Sequence, residues 1–380
     1  MNEQTITARL DALDRELTER FCERMALGRE LAAARMERGL PALDPAAERE
    51  RLADAAEQAG PELRGFTTAL FSQLNDLSRA DLARRRGADS ALVRRMDAAI
   101  ADTPELFPEY ADVACQGVEG AYSQQACTRL FRVPRILYFK NFEGVFSAIE
   151  SGLCRYGVLP IENSTAGSVN AVYDLMMRHR FYIVRSVRLK VDHSLLTLPG
   201  VALGEVREVV SHEQALHQCA GFLKGLGDVK ITVFENTAAA ARYVAESGRR
   251  DLAALSSRSC AALYGLQILR ESVQDQGGNF TRFICIAREP EIYPGADKTS
   301  FMAVTPHRPG SLYLLLSRFF SQGINLTKLE SRPLPDRDFE FMFYFDLEKP
   351  VRSPELRALM GELDQLCERF AYLGSYSEIV

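Results

Sequence analysis

The hydrophobic pattern of this 380-residue chain changes twice, and each change marks a different kind of fold. The first hundred residues are rich in Ala, Leu, Arg and Glu, with apolar residues at helical spacing. From Asp112 to about Arg288, short β-rich runs alternate with helical patterns, and a third pattern begins at Thr299. At roughly 100–200 residues per domain the length allows two or three domains. The pattern predicts three, over residues 1–100, 110–290 and 297–380.

The N-terminal segment predicts an all-helical domain. Apolar residues at positions 6, 10, 13, 17, 21, 27 and 31 predict one amphipathic helix that continues to Gly39. At ~1.5 Å per residue it would be about 50 Å long, too long to be covered by the short helices that follow. We therefore expect a homodimer or homotetramer. Asp44 followed by Pro45 predicts the capped start of a second helix that ends at Gly60, and a third helix follows.

The middle segment predicts an α/β domain with a mostly parallel sheet, or two such sheets. The long run from Phe181 to Leu198 is suited to carry the chain between two lobes, and a cleft between lobes is a natural ligand site. The expected strands are Asp112–Cys115, Arg135–Phe139, Gly157–Ile161, Tyr182–Val187, Glu208–Val210, Lys230–Phe234, Leu252–Leu255 and Arg282–Ile286.

From Thr299 onward the pattern predicts the order strand, helix, strand, strand, helix, strand. This βαββαβ order predicts a ferredoxin-like α+β unit. A unit of this size is commonly a regulatory or dimerising module rather than the place of the central chemistry.

Composition excludes several classes of protein. The chain is 47% hydrophobic and 26% charged, and no run approaches the ~18 apolar residues of a membrane span. We expect no membrane association and, without a signal-peptide pattern, a cytoplasmic location. A net charge of −5 argues against nucleic-acid binding. Eight cysteines without a C-x-x-C pair are expected to be mostly buried thiols, and His212 and His217 lack the partners of a metal site. We therefore predict no metal and no cofactor.

Small polar residues follow several of the expected strands, as in Glu162-Asn163-Ser164-Thr165 and Ser211-His212. Free N–H groups at helix starts bind carboxylates, so several such ends in one sheet predict a site for a small anion. The alternative is that each residue only caps its helix. Arg282 begins an apolar strand, so its charge needs an anionic partner, either Glu162 or a substrate carboxylate.

Together these motifs resemble the prephenate dehydratases. The resemblance rests on the following motifs: Thr281-Arg282-Phe283, Gly120-Ala121-Tyr122-Ser123, Pro160-Ile161-Glu162-Asn163-Ser164, Ser211-His212 with Gln214 and Gln218, and Tyr264-Gly265-Leu266. It implies a two-lobed, periplasmic-binding-protein-like fold and the conversion of prephenate to phenylpyruvate, carbon dioxide and water. It also implies that the reaction site is one crevice around a single guest. The site residues it implies are Glu162, Asn163, Ser164, Ser211, Gln218, Thr281, Arg282 and Phe283.

The C-terminal segment resembles the ACT regulatory domain attached to these dehydratases. The matching residues lie in Gly310-Ser311-Leu312-Tyr313 and in the run from Asn325 to Pro333. The resemblance implies phenylalanine as an effector, with Gly310 allowing close approach of backbone N–H groups to its carboxylate. The effector residues it implies are Gly310, Ser311, Leu312, Asn325, Leu326, Glu330 and Ser331.

The helical segment resembles the all-helical chorismate mutases, in which fixed cations stabilise charge that grows on an ether oxygen. The corresponding positions are Arg24, Arg35, Asp44, Glu48 and Ser78, where Arg35 stands in place of the lysine of the family's pattern. Three positions depart from the pattern, because Thr7 and Ala47 replace arginines and Asp81 or Leu82 replaces a glutamine. Arg9 and Arg51 lie nearby as compensating cations. Chorismate is then a second substrate, or the segment is a dimerisation domain without chemistry.

Three alternatives remain open at this stage. Arogenate dehydratase performs the same chemistry on a substrate that bears an amino acid side chain. A two-lobed amino-acid sensor would bind without turnover. If the chain is a dehydratase, the group that protonates the departing hydroxyl is either Thr281 or Glu162 acting through water.

Overall fold

The computed structural model describes residues 2–87, 90–307, 310–334 and 340–380. The chain forms two compact units. The first contains residues 1–93, 308–318 and 357–367, and the second contains residues 94–307, 319–356 and 368–380. Among the described residues, no helix has both the length and the apolar character needed to cross a bilayer.

The first unit is built on three helices, as the sequence predicts. They are α1 (Glu3–Glu37), α2 (Pro45–Gln58) and α3 (Gly60–Gly87). The Asp44 carboxylate accepts hydrogen bonds from the N–H groups of Ala46 and Ala47, which confirms the predicted cap of α2. Leu13 and Leu17 on α1 are 48% and 64% exposed, so the described part of the chain leaves the apolar face of this long helix largely uncovered.

Two further groups of elements follow α3. The first group alternates helices and strands: α4 (Ala91–Asp102), β1 (Tyr110–Gln116), α5 (Tyr122–Leu130), β2 (Val133–Phe139), α6 (Phe142–Glu150), β3 (Tyr156–Asn163), β4 (Gly167–Ser168), α7 (Asn170–Arg178), β5 (Tyr182–Lys190), β6 (Ser194–Thr197), β7 (Glu208–His212), α8 (Glu213–Gln218), α9 (Ala220–Gly225), β8 (Lys230–Phe234), α10 (Thr237–Ser247), β9 (Leu252–Ser256), α11 (Arg258–Tyr264), β10 (Gln267–Arg270) and β11 (Phe280–Ala287). The second group is β12 (Lys298–Val304), α12 (Ser311–Ser321), β13 (Asn325–Pro333), β14 (Phe341–Glu348), α13 (Pro354–Leu366), β15 (Arg369–Tyr376) and β16 (Glu378–Ile379).

The first group forms two sheets, so the expectation of two lobes is confirmed. One sheet has the order β16-β5-β11-β3-β1-β2, with β4 paired to β3, and the other has the order β10-β6-β9-β7-β8. The chain leaves the first sheet along β5, enters the second at β6, and returns from β10 to β11. The predicted long run from Phe181 to Leu198 is therefore the outward crossing.

The expectation of mostly parallel sheets is wrong, because half of the described strand pairings in these two sheets are antiparallel. The cause is the double crossing between the sheets. Since β5 carries the chain out and β11 brings it back, β11 runs opposite to both β5 and β3.

The second group has the predicted βαββαβ order. Its four strands form an antiparallel sheet in the order β13-β14-β12-β15, which is the ferredoxin-like arrangement. The short strand β16 does not join this sheet. It pairs with β5 instead and so ties the end of the chain to the first sheet.

A buried ion-pair cluster joins the ferredoxin-like sheet to β11. Arg282 forms an ion pair with Asp346, which is fully buried on β14. It also donates a hydrogen bond of 2.6 Å to the Tyr376 hydroxyl, and its Nε lies 3.1 Å from Glu378. Ser300 on β12 donates to the same Asp346 carboxylate and lies 2.7 Å from the Tyr376 hydroxyl. The charge of Arg282 is therefore satisfied by the C-terminal strands.

Replacing Arg282 with Met is expected to lower the free energy of unfolding by about 3–5 kcal/mol, because Asp346 and Glu378 then remain buried without their shared cation. Urea denaturation followed by circular dichroism measures this loss.

Arg188→Met is the matched control for this variant. Arg188 also pairs with Glu378, but its side chain is 44% exposed, and such pairs contribute about 0–1 kcal/mol. Equal losses in the two variants would show that burial adds nothing to the Arg282 cluster.

Candidate active site

The site is organised by the pairing of β3 with β11. Thr281 lies opposite Asn163 and Arg282 lies opposite Glu162, while a bulge leaves Ile161 without a partner. Successive side chains of a strand point to opposite faces of the sheet. Thr281 and Asn163 therefore share one face, and Arg282 and Glu162 share the other.

On the first face, the side-chain amide of Asn163 holds Thr281. The Asn163 Nδ2 atom lies 2.9 Å from the Thr281 Oγ1 atom and 2.6 Å from the Asn279 Oδ1 atom. The Ser164 hydroxyl donates to the carbonyl oxygen of Gly278 and accepts from the N–H of Phe280, which ties the end of β3 to the segment before β11. Gln218 joins this group through a 2.9 Å hydrogen bond from Asn279.

A cavity of about 490 Å³ adjoins this group, and its volume is within the range of small-molecule sites. Its walls come from the segment after β3, from α8 of the second lobe, and from the segment before β11. The lining residues are Ser164, Thr165, Ala166, Gln214, His217, Gln218, Gln274, Asp275, Gln276 and Asn279. Thr165, Gln218 and Asn279 belong both to the wall of the cavity and to the hydrogen-bonded group around Thr281.

The expectation that all of the predicted groups meet around one guest is not met. Arg282 is occupied by Asp346, and Glu162 lies 3.4 Å from Lys328 and 4.0 Å from Arg282, on the face of the sheet opposite Thr281. The reason is the two-residue period of a strand, which separates Thr281 from its sequence neighbour.

Two further predicted residues are buried. The Phe283 side chain packs in the hydrophobic core with Tyr156 and Phe131. The Ser211 side chain is fully buried and donates a 2.6 Å hydrogen bond to the carbonyl oxygen of Leu255. Asn163, Ser164, Gln218 and Thr281 are the predicted residues that the structure brings together.

Three residues of this group were not singled out from the sequence. Thr165 lies inside the run Glu162-Asn163-Ser164-Thr165, and Asn279 lies two residues before Thr281. Their hydroxyl and amide groups next to these motifs were the available signal. His193 lies 3.1 Å from Gln218 and is 2% exposed. A lone histidine in the crossing between lobes gives no sequence signal. Burial lowers the pKa of His193, although its hydrogen bond to Gln218 opposes the shift.

In the part of the chain that the structure describes, no group of three or more His, Cys, Asp or Glu side chains is placed to hold a metal ion. Six of the eight cysteines are buried, while Cys22 is exposed and Cys367 is intermediate. The cavity lining consists mainly of amides and hydroxyls, together with His217 and Asp275.

The predicted effector residues lie at the start of α12 and along β13. Gly310 has φ +84°, a conformation that favours glycine, and Ser311 and Leu312 follow it in α12. On β13, Asn325 donates to Glu348, and Glu330 accepts a 2.5 Å hydrogen bond from Ser168. Leu326 and Ser331 lie on the same strand. These residues stay a predicted effector set.

The predicted mutase residues form three separate contacts in the first unit. Arg24 donates to Asn75 (2.7 Å) and to Ser78 (3.1 Å). Arg35 pairs with Asp44 at 2.9 Å. Glu48 pairs with Arg79, a residue that the sequence did not single out. Glu48 and Arg79 also line a cavity of about 320 Å³ between α2 and α3.

The departures from the mutase pattern are also visible. Thr7 is exposed on α1 and donates to the carbonyl oxygen of Glu3, so it supplies no cation. Asp81 is surrounded by Arg29, Arg84 and Arg85 at 3.1–3.3 Å. Burial, and then the nearby Arg51 guanidinium, lower the pKa of Arg24. Arg51 is thus close enough to Arg24 for their charges to interact.

Comparison with known proteins agrees with this architecture. The profile of the prephenate dehydratase family matches residues 113–291, and that of chorismate mutase type II matches residues 6–81. Arogenate dehydratase/prephenate dehydratase 1 of Arabidopsis thaliana is 39% identical over 281 residues, which cover 70% of this chain and 71% of that protein.

Two solved structures are similar to the chain. One is a prephenate dehydratase from Arthrobacter aurescens in complex with L-Phe, which is 26% identical with a TM-score of 0.65. The match covers 70% of this chain and 90% of that one. The other is GqqA, described as a novel type of quorum quenching acylase, which is 33% identical with a TM-score of 0.64 over 70% of this chain and 97% of that one.

One conclusion follows from the two family matches and from the similarity over most of a curated dehydratase. The chain belongs to the prephenate dehydratase family and carries a chorismate mutase type II segment in residues 6–81.

Proposed function

We propose that this chain converts prephenate to phenylpyruvate, carbon dioxide and water, and that phenylalanine regulates the reaction. The observation that carries the proposal is the Thr281–Asn163 pair beside the 490 Å³ cavity, in a chain of the prephenate dehydratase family. A non-enzymatic sensor is not supported, because the matching family is one of enzymes.

The reaction needs help only at the departing oxygen. The bond to the ring carboxylate breaks, its electron pair forms a ring double bond, and the hydroxyl leaves as water once it receives a proton. Product aromaticity supplies the driving force. Thr281 donates that proton and regains one from solvent, while the Asn163 N–H stabilises negative charge on Oγ1. Glu162 is the weaker candidate, because it lies on the opposite face of the sheet.

Arogenate is the second candidate substrate. Asp275 brings a carboxylate to the lining of the cavity, which contains no Lys or Arg among the described residues. A carboxylate in the wall favours a substrate that bears an ammonium group over one that bears only anionic groups. The similarity to proteins named arogenate dehydratase supports the same alternative.

Regulation by phenylalanine rests on the ferredoxin-like unit and on its attachment to β11. The structural relative from Arthrobacter aurescens was solved with L-Phe. In this chain the Arg282 cluster connects the C-terminal sheet to the strand that carries Thr281. A change in that sheet on effector binding therefore has a direct mechanical route to the reacting group. A coupling free energy of ~1–3 kcal/mol is sufficient for feedback control.

Purified protein given prephenate or arogenate tests the substrate and the effector together. We expect phenylpyruvate from prephenate, and a rate that phenylalanine changes about 5- to 150-fold. Faster formation of phenylalanine from arogenate would reverse the choice of substrate. Turnover that phenylalanine leaves unchanged would remove the regulatory part of the proposal.

Thr281→Ala is expected to lower kcat by about 10²- to 10⁴-fold, the usual range for one proton-transfer group. Thr281→Ser keeps the hydroxyl and should keep most of the activity. Thr128→Ala, at an exposed position on α5, is the matched control. Steady-state kinetics measures kcat of each variant, and a separate binding measurement shows whether the substrate still binds. A near-normal kcat in Thr281→Ala would exclude Thr281 from the mechanism.

The helical segment is proposed to act in assembly more than in chemistry. Two cations of the mutase pattern are missing at Thr7 and Ala47, and the exposed apolar face of α1 is suited to cover a second copy of the chain. The homodimer or homotetramer expected from the sequence is consistent with this face.

Given chorismate, the purified chain is expected to show little mutase activity, because each missing donor costs roughly 10²- to 10³-fold. The decrease in chorismate absorbance as prephenate forms measures this mutase activity. A rate typical of enzymes that falls sharply in Arg24→Met would show that the mutase site works despite its departures.

A further inference from the structure

The orientation of the Asn163 side chain is fixed by the backbone. Its Oδ1 atom lies 3.1 Å from the backbone N of Thr165 and 2.9 Å from that of Ala166. A backbone N–H only donates, so the atom facing these two groups must be the amide oxygen. The other amide atom, Nδ2, is then the one that lies 2.9 Å from Thr281 Oγ1, and it donates. Asn163 therefore leaves the hydroxyl proton of Thr281 unused.

The same logic assigns the next two amides. Since Asn163 Nδ2 donates, the Asn279 atom 2.6 Å away must be its oxygen. The Asn279 nitrogen then donates over 2.9 Å to Gln218 Oε1, which leaves the Gln218 nitrogen to donate over 3.0 Å to the Thr165 hydroxyl. That hydroxyl donates in turn to Asn163 Oδ1 at 2.8 Å. The four side chains form a closed ring of hydrogen bonds with one direction.

His193 completes the arrangement. Its Nε2 atom lies 3.1 Å from Gln218 Oε1, and this oxygen only accepts, so Nε2 carries the hydrogen. The Nδ1 atom is then a bare lone pair, and it is buried with no hydrogen-bond partner among the described residues. His193 is 2% exposed and Asn279 is 1% exposed, so water does not compensate for a wrong orientation at either residue.

We propose that His193 and Asn279 are positioning residues that hold this ring in one direction, so that the Thr281 hydroxyl keeps its proton for the departing hydroxyl of the substrate. The role rests on the proposed dehydratase function. If the Gln218 and Asn279 amides turned over, Asn279 would present its nitrogen to Asn163 Nδ2, and two donors would face each other. Asn163, whose oxygen is held by the backbone, would then move away from Thr281. The reversed site would bind the same guest and fail at proton transfer.

Two substitutions separate the donor at residue 193 from its bulk. His193→Leu removes the N–H that faces Gln218, and we expect kcat to fall about 10- to 100-fold with KM changed less than about threefold. His193→Gln places an amide nitrogen near the position of Nε2, so it should restore most of the loss. Rescue by Gln but not by Leu supports the proposal, and equal activity in both variants overturns it.

Asn279→Asp tests the direction of the ring. The aspartate can still accept from Asn163, but it presents an oxygen to Gln218 Oε1, so a fall in kcat of about 10- to 100-fold is expected, again with little change in KM. Tyr122→Phe is the matched control, because its hydroxyl bonds to the backbone of Asp192 beside His193 without entering the ring. It should change kcat less than about threefold. A loss in the control as large as in Asn279→Asp overturns the proposal.

Nitrogen-15 NMR of the imidazole gives a readout that does not depend on activity. In the wild-type chain at neutral pH, His193 should show a protonated Nε2 and a bare Nδ1, with the assignment made by loss of the signal in His193→Gln. A proton on Nδ1 overturns the proposal. If wild type dehydrates neither prephenate nor arogenate, the proposed function fails, and the NMR result still decides the direction of the ring.

Discussion

The antiparallel pairing of β3 with β11 is the constraint on which the site depends. It places two pairs of opposed residues, Thr281 with Asn163 and Arg282 with Glu162, and sends them to opposite faces of one sheet. One face is occupied by neutral amides and hydroxyls beside a cavity, and the other by a buried ion-pair cluster. Neighbouring residues of a single motif thus lie in different surroundings, Thr281 beside the cavity and Arg282 in the attachment to the C-terminal strands.

This separation is electrostatically favourable for the proposed reaction at Thr281. A guanidinium next to the cavity would stabilise the substrate carboxylate in its ground state, whereas decarboxylation moves that negative charge into the ring and onto the departing oxygen. Arg282 is instead neutralised by Asp346 and Glu378. The amide ring around Thr281 offers directed dipoles without net charge, which stabilise charge developing on oxygen without binding the anionic ground state strongly.

The face of β11 that carries Arg282 also restrains the C-terminal strands. Because Arg282 contacts residues of β14, β15 and β16, the ferredoxin-like sheet cannot shift relative to β11 without breaking buried ion pairs. Packed interfaces of this kind respond as switches with discrete arrangements. Arg282 directly follows Thr281 in the sequence, so the residue that contacts the C-terminal strands is joined to Thr281 by one peptide bond.

Local structure followed from the sequence where it depends on neighbouring residues. The Asp44 cap, the length of α1 and the bounds of β8 are set by side-chain spacing and by caps, which a sequence pattern records directly. The direction of β11 was not predictable in this way, because it depends on the chain crossing twice between two sheets. The motif residues Thr281 and Arg282 were identified, but not the faces they occupy. The bulge at Ile161, which brings Glu162 opposite Arg282, is likewise a matter of strand register.

Ion pairs explain why the helical segment can keep its fold although residues such as Thr7 and Ala47 depart from the mutase pattern. Arg35 and Arg79 are each neutralised by a carboxylate, Asp44 and Glu48, so these pairs are stable without any ligand. Arg24 differs, because its hydrogen-bond partners Asn75 and Ser78 are neutral, and Glu48 acts on its charge without a hydrogen bond. The pKa of Arg24 is accordingly lowered, by burial first and by Arg51 second. Within the described part of the chain, Arg24 therefore lacks a carboxylate among its hydrogen-bond partners, in contrast to Arg35 and Arg79.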